Sequence, residues 1–216
     1  MKNIKNLIFD FDGVILDSVE IKNKAFLKTL KPFNKNIKKK FMKFHLNNLG
    51  VSRFKKFEYL CKDLLKQKKY EKLKKKLINQ FSRYTKEGIN KAPFIEGIKI
   101  FLAKYKYLNL FISSGTPQTE LRRNCKEKKI KHLFSEILGS PMTKIEHIDL
   151  LKKKYNVNKA NSIFFGDSST DYYAAKISKI DFVQVGSSLK KKNIKFKINN
   201  FNDKKMIKII KLLKKN

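Results

Sequence analysis

The chain has 216 residues, 41% hydrophobic and 12% aromatic, enough to bury the core of one generous domain or of a core domain with a modest insertion, which excludes a disordered chain. No apolar run approaches the roughly 20 residues that span a bilayer, and Cys61 and Cys125 are too few for a disulfide framework and lack metal-ligand spacing. The net charge of +34 invites a nucleic-acid reading, but only four of the 52 basic residues are Arg (Arg53, Arg83, Arg122, Arg123) and the lysines are scattered instead of striped. With Asn, Ile and Phe also abundant and Trp absent, the charge reads as a compositional bias that still draws small anions to a cleft. A lysine-rich nucleic-acid binder without catalysis stays as the alternative of another class.

In chain order, the first strand-like run is 4–9, leading through Leu7, Ile8 and Phe9 into Asp10, Phe11, Asp12 and Gly13. A chain that opens on such a strand is not expected to carry a cleavable signal segment, and a soluble cytoplasmic protein is the expectation. Residues 18–90 show no convincing strand. Their apolar positions, such as Phe54, Phe57, Leu60, Leu64 and Leu65, fall at helical spacing, which predicts an all-helical insertion. Pro93 and Gly97 mark the return, and Ile98, Phe101 and Leu102 open a helix. Further strand-like runs lie at 109–113, 162–165 and 181–185, separated by helical patterns at about 117–129, 145–155 and 170–178. That alternation argues for a parallel α/β sheet. The tail places Met206, Ile209, Ile210 and Leu213 on one helical face with lysines opposite. Such a helix can lie on a membrane surface, but closing over the sheet is the preferred reading.

In open α/β sheets, ligands bind outside the carboxyl ends of the strands. Asp10 and Asp12 come after the first strand, Ser114 and Gly115 after the second, and Asp167 and Asp171 after the third, with Lys144 starting a helical segment in "GSPMTKIEH". Taken singly, each has a plain structural reading: an Asp-Gly turn, a helix cap, a solvated lysine, a first-turn acid. Taken together, four carboxylates, a hydroxyl and an ammonium at one edge fit phosphoryl transfer. One aspartate attacks phosphorus while its neighbour moves protons, and crowded carboxylates call for a divalent cation, with an oxygen-only set suiting Mg²⁺.

"DFDGV", "ISSG", Lys144 and "GDSSTD" resemble, in order, the four motifs of the haloacid dehalogenase (HAD) superfamily, and the helical insertion resembles the cap of its phosphoglycolate phosphatase and β-phosphoglucomutase branch. The resemblance implies a Rossmann-like three-layer core with a parallel sheet (1–17 and 91–216) and an inserted all-helical cap (18–90). It implies Asp10 as nucleophile and metal ligand, and Asp12 as general acid/base whose backbone carbonyl also reaches the metal. Ser114, Gly115 and Lys144 would bind the phosphoryl group, and Asp167 and Asp171 would complete the Mg²⁺ site.

Within the cap, "GVSR" resembles the specificity loop of β-phosphoglucomutases, which makes Arg53 the expected cap-side substrate residue; a surface Arg opening a helix is the alternative. Two departures separate the chain from the mutases. Lys22 stands where they carry a hinge histidine, and Gly166-Asp167 stands where they usually carry Glu-Asp. The expectation is therefore a Mg²⁺-dependent phosphatase acting on a small anionic phosphorylated metabolite (a sugar phosphate or phosphoglycolate-like), as monomer or homodimer, with a phosphosugar mutase as the alternative. The histidines His45, His132 and His147 share no ligand spacing, and of these only His45 lies in the cap near Arg53. Ser18 sits at the hinge, placed either to touch substrate or to cap a helix.

Overall fold

The computed structural model describes residues 3–189, 191 and 193–215, with side chains as far as Lys211. Six parallel strands form one sheet in the order β3-β2-β1-β4-β5-β6, with β1 (Asn6–Phe9), β2 (Asn109–Pro117), β3 (Glu136–Ser140), β4 (Ser162–Gly166), β5 (Asp181–Val185) and β6 (Phe196–Ile198). The four strands expected from the sequence are present. The other two carry too little apolar signal: β3 reads EILGS, with only two apolar residues in a row, and β6 is three residues long.

Side-chain alternation sends successive residues of each strand to opposite faces. Leu7 and Phe9 join one apolar cluster with Phe101, Phe165 and Phe201, whereas Ile8 joins another with Phe111, Phe164, Ile148 and Leu151. The rings of Phe9 and Phe165 stack at 5.1 Å. Helices α5 (Ile98–Lys104), α6 (Gln118–Glu127), α7 (Lys144–Tyr155) and α8 (Ser169–Ile177) alternate with the strands, as a parallel sheet buried on both faces requires. Helix α9 (Lys205–Lys215) lays Met206, Ile209 and Ile210 into the Phe9 cluster; the Leu213 side chain lies outside the described residues. No helix among the described residues is long and apolar enough to cross a membrane.

Between β1 and α5 lie helices α1 (Val19–Thr29), α2 (Lys35–Asn47), α3 (Arg53–Glu58) and α4 (Glu71–Lys91). They bury an apolar cluster of their own around Phe26, Phe41, Phe57, Leu60 and Phe81. Leu64 and Leu65 pack against it from its edge, and Phe54 is half-buried. The even helical spacing read from the sequence is broken at Tyr59–Leu64, a π-helical turn in which the Leu65 amide donates to the Leu60 carbonyl at 2.9 Å. The two crossing segments are tied side by side: the Asp17 amide donates to the Pro93 carbonyl at 2.9 Å, and the Ile95 amide to that of Ile15 at 2.9 Å.

One buried polar contact braces the sheet from within. His147 on α7 is fully buried, its Nδ1 2.9 Å from Ser113 Oγ and its Nε2 3.2 Å from the Gly139 carbonyl. A carbonyl only accepts, so Nε2 carries the proton and Nδ1 accepts from the serine. Burial holds this imidazole neutral and pushes its pKa down to about 4. The unfolded chain takes up this proton near the ordinary pKa of roughly 6.5, the folded chain only near 4, so folding loses stability as pH falls between the two. In denaturant titrations the stability of wild type relative to His147→Gln is expected to drop by about 1.4 kcal/mol per pH unit across that window. A difference that stays constant from pH 7 to pH 4.5 would show that the histidine is not buried neutral.

Candidate active site

The register of the central strands brings the motif residues together. Phe9 pairs with Ile112 on one side and with Phe165 on the other, so Asp10, Ser114 and Asp167 follow within two residues of one level, along one edge; the sequence placed Ser114 and Gly115 after the second strand, but β2 runs on to Pro117 and includes both. That edge flanks β1, where the sheet order turns back from β3 to β4, the usual position of a ligand crevice. Gly13, with φ at +80°, completes the turn after Asp12; a Cβ there would collide with the Asp167 carboxylate.

Asp10 is buried. Its Oδ1 accepts from the Phe11 amide at 2.6 Å and its Oδ2 pairs with Lys144 Nζ at 2.8 Å. Lys144, on the first turn of α7 after a Thr143–Glu146 capping box, also donates to Asp171. Asp171 is held in turn by the amide (3.1 Å) and hydroxyl of Ser168 at the start of α8. Burial works against the Lys144 charge, but Asp10 and Asp171 outweigh it and hold the ammonium above the ordinary lysine range. For Asp10, burial raises the carboxyl pKa, Lys144 opposes the rise, and the charges of Asp171 and Asp12 add to it.

Carboxylate oxygens of Asp10, Asp167 and Asp171 lie within 4.8 Å of one another. The Asp167 pKa is raised by burial and then by Asp10 and Asp171. Among the described residues no donor reaches the Asp167 carboxylate. One ammonium therefore faces three buried acids. The oxygen-only donor set and the orphaned Asp167 suit a hard divalent cation such as Mg²⁺.

The Asp12 carboxylate stands outside this cluster. It accepts from Ser18 Oγ at 2.6 Å, from Thr116 Oγ1 at 3.1 Å, and from Lys22 Nζ, which also donates to Thr116 Oγ1 at 2.8 Å. Burial opposes its charge, but Lys22 prevails and keeps the carboxyl below the usual range, hence ionised. Asp10, Asp12, Ser114, Gly115 and Asp167 all line one cavity of about 60 Å³, whose other wall is formed by residues of α1, α2 and α3. Ser114 is buried, its Oγ accepting from the Thr116 amide at 3.2 Å. Gly115 is where the loop before α3 meets the sheet: a Cβ on it would come 2.7 Å from the Gly50 carbonyl oxygen.

Arg53 also lines this cavity, yet its guanidinium is already engaged. It forks onto Glu120 of α6, Nη1 to Oε2 at 2.9 Å and Nη2 to Oε1 at 2.7 Å, with Ser82 Oγ at 2.8 Å and the Phe81 ring 4.6 Å away. This bidentate pair joins the helical insertion to the sheet-bearing part. Sequence reasoning placed Arg53 in the right neighbourhood but had no signal for its partner 67 residues away, since Glu120 reads as an ordinary first-turn acid. Thr116, directly after the ISSG motif, is legible at the same strand end, but sequence reasoning assigned it no role.

A family model described as haloacid dehalogenase-like hydrolase matches residues 7–185. The chain belongs to this family. Among solved structures, this HAD-like hydrolase is similar to a predicted phosphoglycolate phosphatase from Haemophilus somnus (20% identity, TM-score 0.74, 97% of this chain and 99% of that one). It is also similar to a β-phosphoglucomutase from Clostridium difficile (21%, 0.77, 98% and 98%) and to a predicted phosphatase from Clostridium acetobutylicum (20%, 0.75, 97% and 99%). At such identities the likeness speaks for the HAD fold over the full chain. No curated protein matches in sequence.

Removing Glu120 leaves the HAD-like hydrolase with a buried guanidinium and no counter-charge. Glu120→Ala is expected to cost about 3–5 kcal/mol of unfolding free energy, and Arg53→Met with Glu120→Leu to recover most of it. Additive losses in that double-mutant cycle would show that the pair is not coupled.

Proposed function

We propose that the protein is a Mg²⁺-dependent phosphomonoesterase acting on a small phosphorylated metabolite through an aspartyl phosphate on Asp10. The observation that carries this reading is the position of Asp10, whose carboxylate is oriented by the Phe11 amide and Lys144 at the floor of a small cavity, beside a second aspartate that belongs to a different hydrogen-bond set. Residues 18–90 act as a cap over a core formed by 1–17 and 91–216, and closing it excludes bulk water during transfer.

In this reading an Asp10 oxygen attacks phosphorus, the new O–P bond forms, and the bond to the leaving oxygen breaks. Lys144 and Ser114 hold phosphoryl oxygens, the former by charge and the latter by its hydroxyl. Asp12, ionised beside Lys22, then takes a proton from the water whose oxygen bonds to phosphorus as the Asp10 O–P bond breaks, which releases inorganic phosphate and frees the Asp10 carboxylate; the proton on Asp12 passes to the leaving oxygen of the next substrate. Bound by Asp10, Asp167, Asp171 and the Asp12 backbone carbonyl, Mg²⁺ would neutralise the charge crowded between the carboxylates and the phosphoryl group.

Hydrolysis is favoured over mutase chemistry by Lys22. Where the resemblance places a histidine that activates a sugar hydroxyl, this chain has an ammonium tied to Asp12 and Thr116, with no lone pair free to take a proton. Asp10→Asn is expected to lower Mg²⁺-dependent hydrolysis of an aryl phosphate by roughly 10³-fold or more with the fold retained. Full activity in that variant would remove Asp10 as nucleophile. With a hexose 1-phosphate as substrate, released inorganic phosphate supports the esterase; isomerised phosphosugar without release would assign the mutase instead.

A further inference from the structure

Four cations stand at or beside the catalytic cavity, and three of them have carboxylate partners: Lys144 with Asp10 and Asp171, Lys22 with Asp12, and Arg53 with Glu120. Lys56 on α3 differs. It is 2% exposed and lines the cavity, yet it forms no ion pair among the described residues. Its Nζ contacts two neutral acceptors, His45 Nδ1 at 2.9 Å and the Leu49 carbonyl at 3.0 Å. The His45 Nε2 lies 2.7 Å from Asn23 Oδ1. An oxygen acceptor there fixes the proton on Nε2 and leaves Nδ1 as acceptor for the lysine. Asn23, His45 and the Leu49 carbonyl thus hold the ammonium in one place and use two of its three N–H donors.

An ammonium so enclosed without a counter-charge is costly, and the cost is visible in its proton affinity: burial, with Lys22 adding, pushes the Lys56 pKa down to about 7. A ligand anion supplies what the protein withholds. The phosphoryl end of a substrate belongs with Asp10, Ser114 and Lys144, so a group at Lys56 belongs to the leaving part of the molecule. We propose that Lys56 is a specificity-determining residue that recognises a second anionic group, carboxylate or phosphate, on the leaving part of the substrate. This rests on the phosphatase reading above and moves the expected cap-side contact from Arg53 to Lys56.

The test uses matched substrate pairs that differ in that anion: 2-phosphoglycolate against 2-hydroxyethyl phosphate for a carboxylate, and glucose 1,6-bisphosphate against glucose 1-phosphate for a phosphate. The wild-type enzyme is expected to favour the anionic member of one pair in kcat/KM by roughly 10–100-fold, the range of one hydrogen bond to a charged group. The pair that shows the preference identifies the anion. Lys56→Met is expected to bring that ratio close to one, and Lys56→Arg to retain part of it. A wild-type enzyme that turns over 2-hydroxyethyl phosphate and glucose 1-phosphate as fast as their anionic partners overturns the assignment of Lys56 while leaving the phosphatase intact, and needs no variant to fold. A Lys56→Met enzyme that keeps the preference overturns it equally. No Mg²⁺-dependent turnover of any phosphate ester would instead remove the phosphatase reading, and this proposal with it.

Discussion

Three buried carboxylates gathered at the edge of a sheet, two of them paired with a single ammonium, are the constraint around which this protein is arranged. Lys144 reaches Asp10 on the chain leaving β1 and Asp171 on α8, so a single side chain of α7 ties three separate pieces of the molecule to one point. Like charges in a poorly solvated place repel strongly, and only a stiff frame keeps them there. The frame is the aromatic layer beneath, where Phe9, Phe101, Phe165 and Phe201 pack edge and face against one another. The residue that begins the reaction in our reading stands one position beyond Phe9, a fully buried ring of that layer.

A second set of contacts joins the insertion to this frame. Arg53 forks onto Glu120, Lys22 meets Asp12 and Thr116, and the Gly50 carbonyl lies against Gly115. Each crosses from a helix or loop of the insertion to the chain leaving β1 or to β2 and α6. Two of the three are ion pairs that turn charge inward and leave the cavity with less free positive charge than a lysine-saturated sequence suggests. The abundant outward lysines act at longer range, raising the local concentration of small anions near the protein.

How far the sequence speaks for itself depends on the kind of residue. Asp10 and Asp167 were legible because strand ends are marked by the close of an apolar run, and the register of parallel strands aligns the residues just beyond those ends. The helical insertion was legible from spacing, though the π turn at Tyr59–Leu64 was not, since one extra residue per turn leaves no signature in apolar periodicity. Lys144 became legible only through its order among the other motifs; alone it is one lysine among many. Glu120 and Lys56 were not legible at all. Their meaning comes from partners or neighbours brought close by tertiary packing, and a paired Glu and an unpaired Lys look alike until the fold is known. Strands β3 and β6 fall in the same class, being held in place by neighbours more than by their own composition.

The two crossing segments have a broader consequence. Because Asp17 and Pro93 lie hydrogen-bonded side by side, everything between them leaves the sheet and returns to it at one doorway. Its length and content can change without moving β1 or β2. Floor and roof of the cavity are therefore carried by separate stretches of chain: the aspartates and Lys144 lie on the sheet-bearing part, and Asn23, His45, Arg53 and Lys56 on the insertion. In our reading, a change in the second set alters which substrate fits and leaves the first set in place.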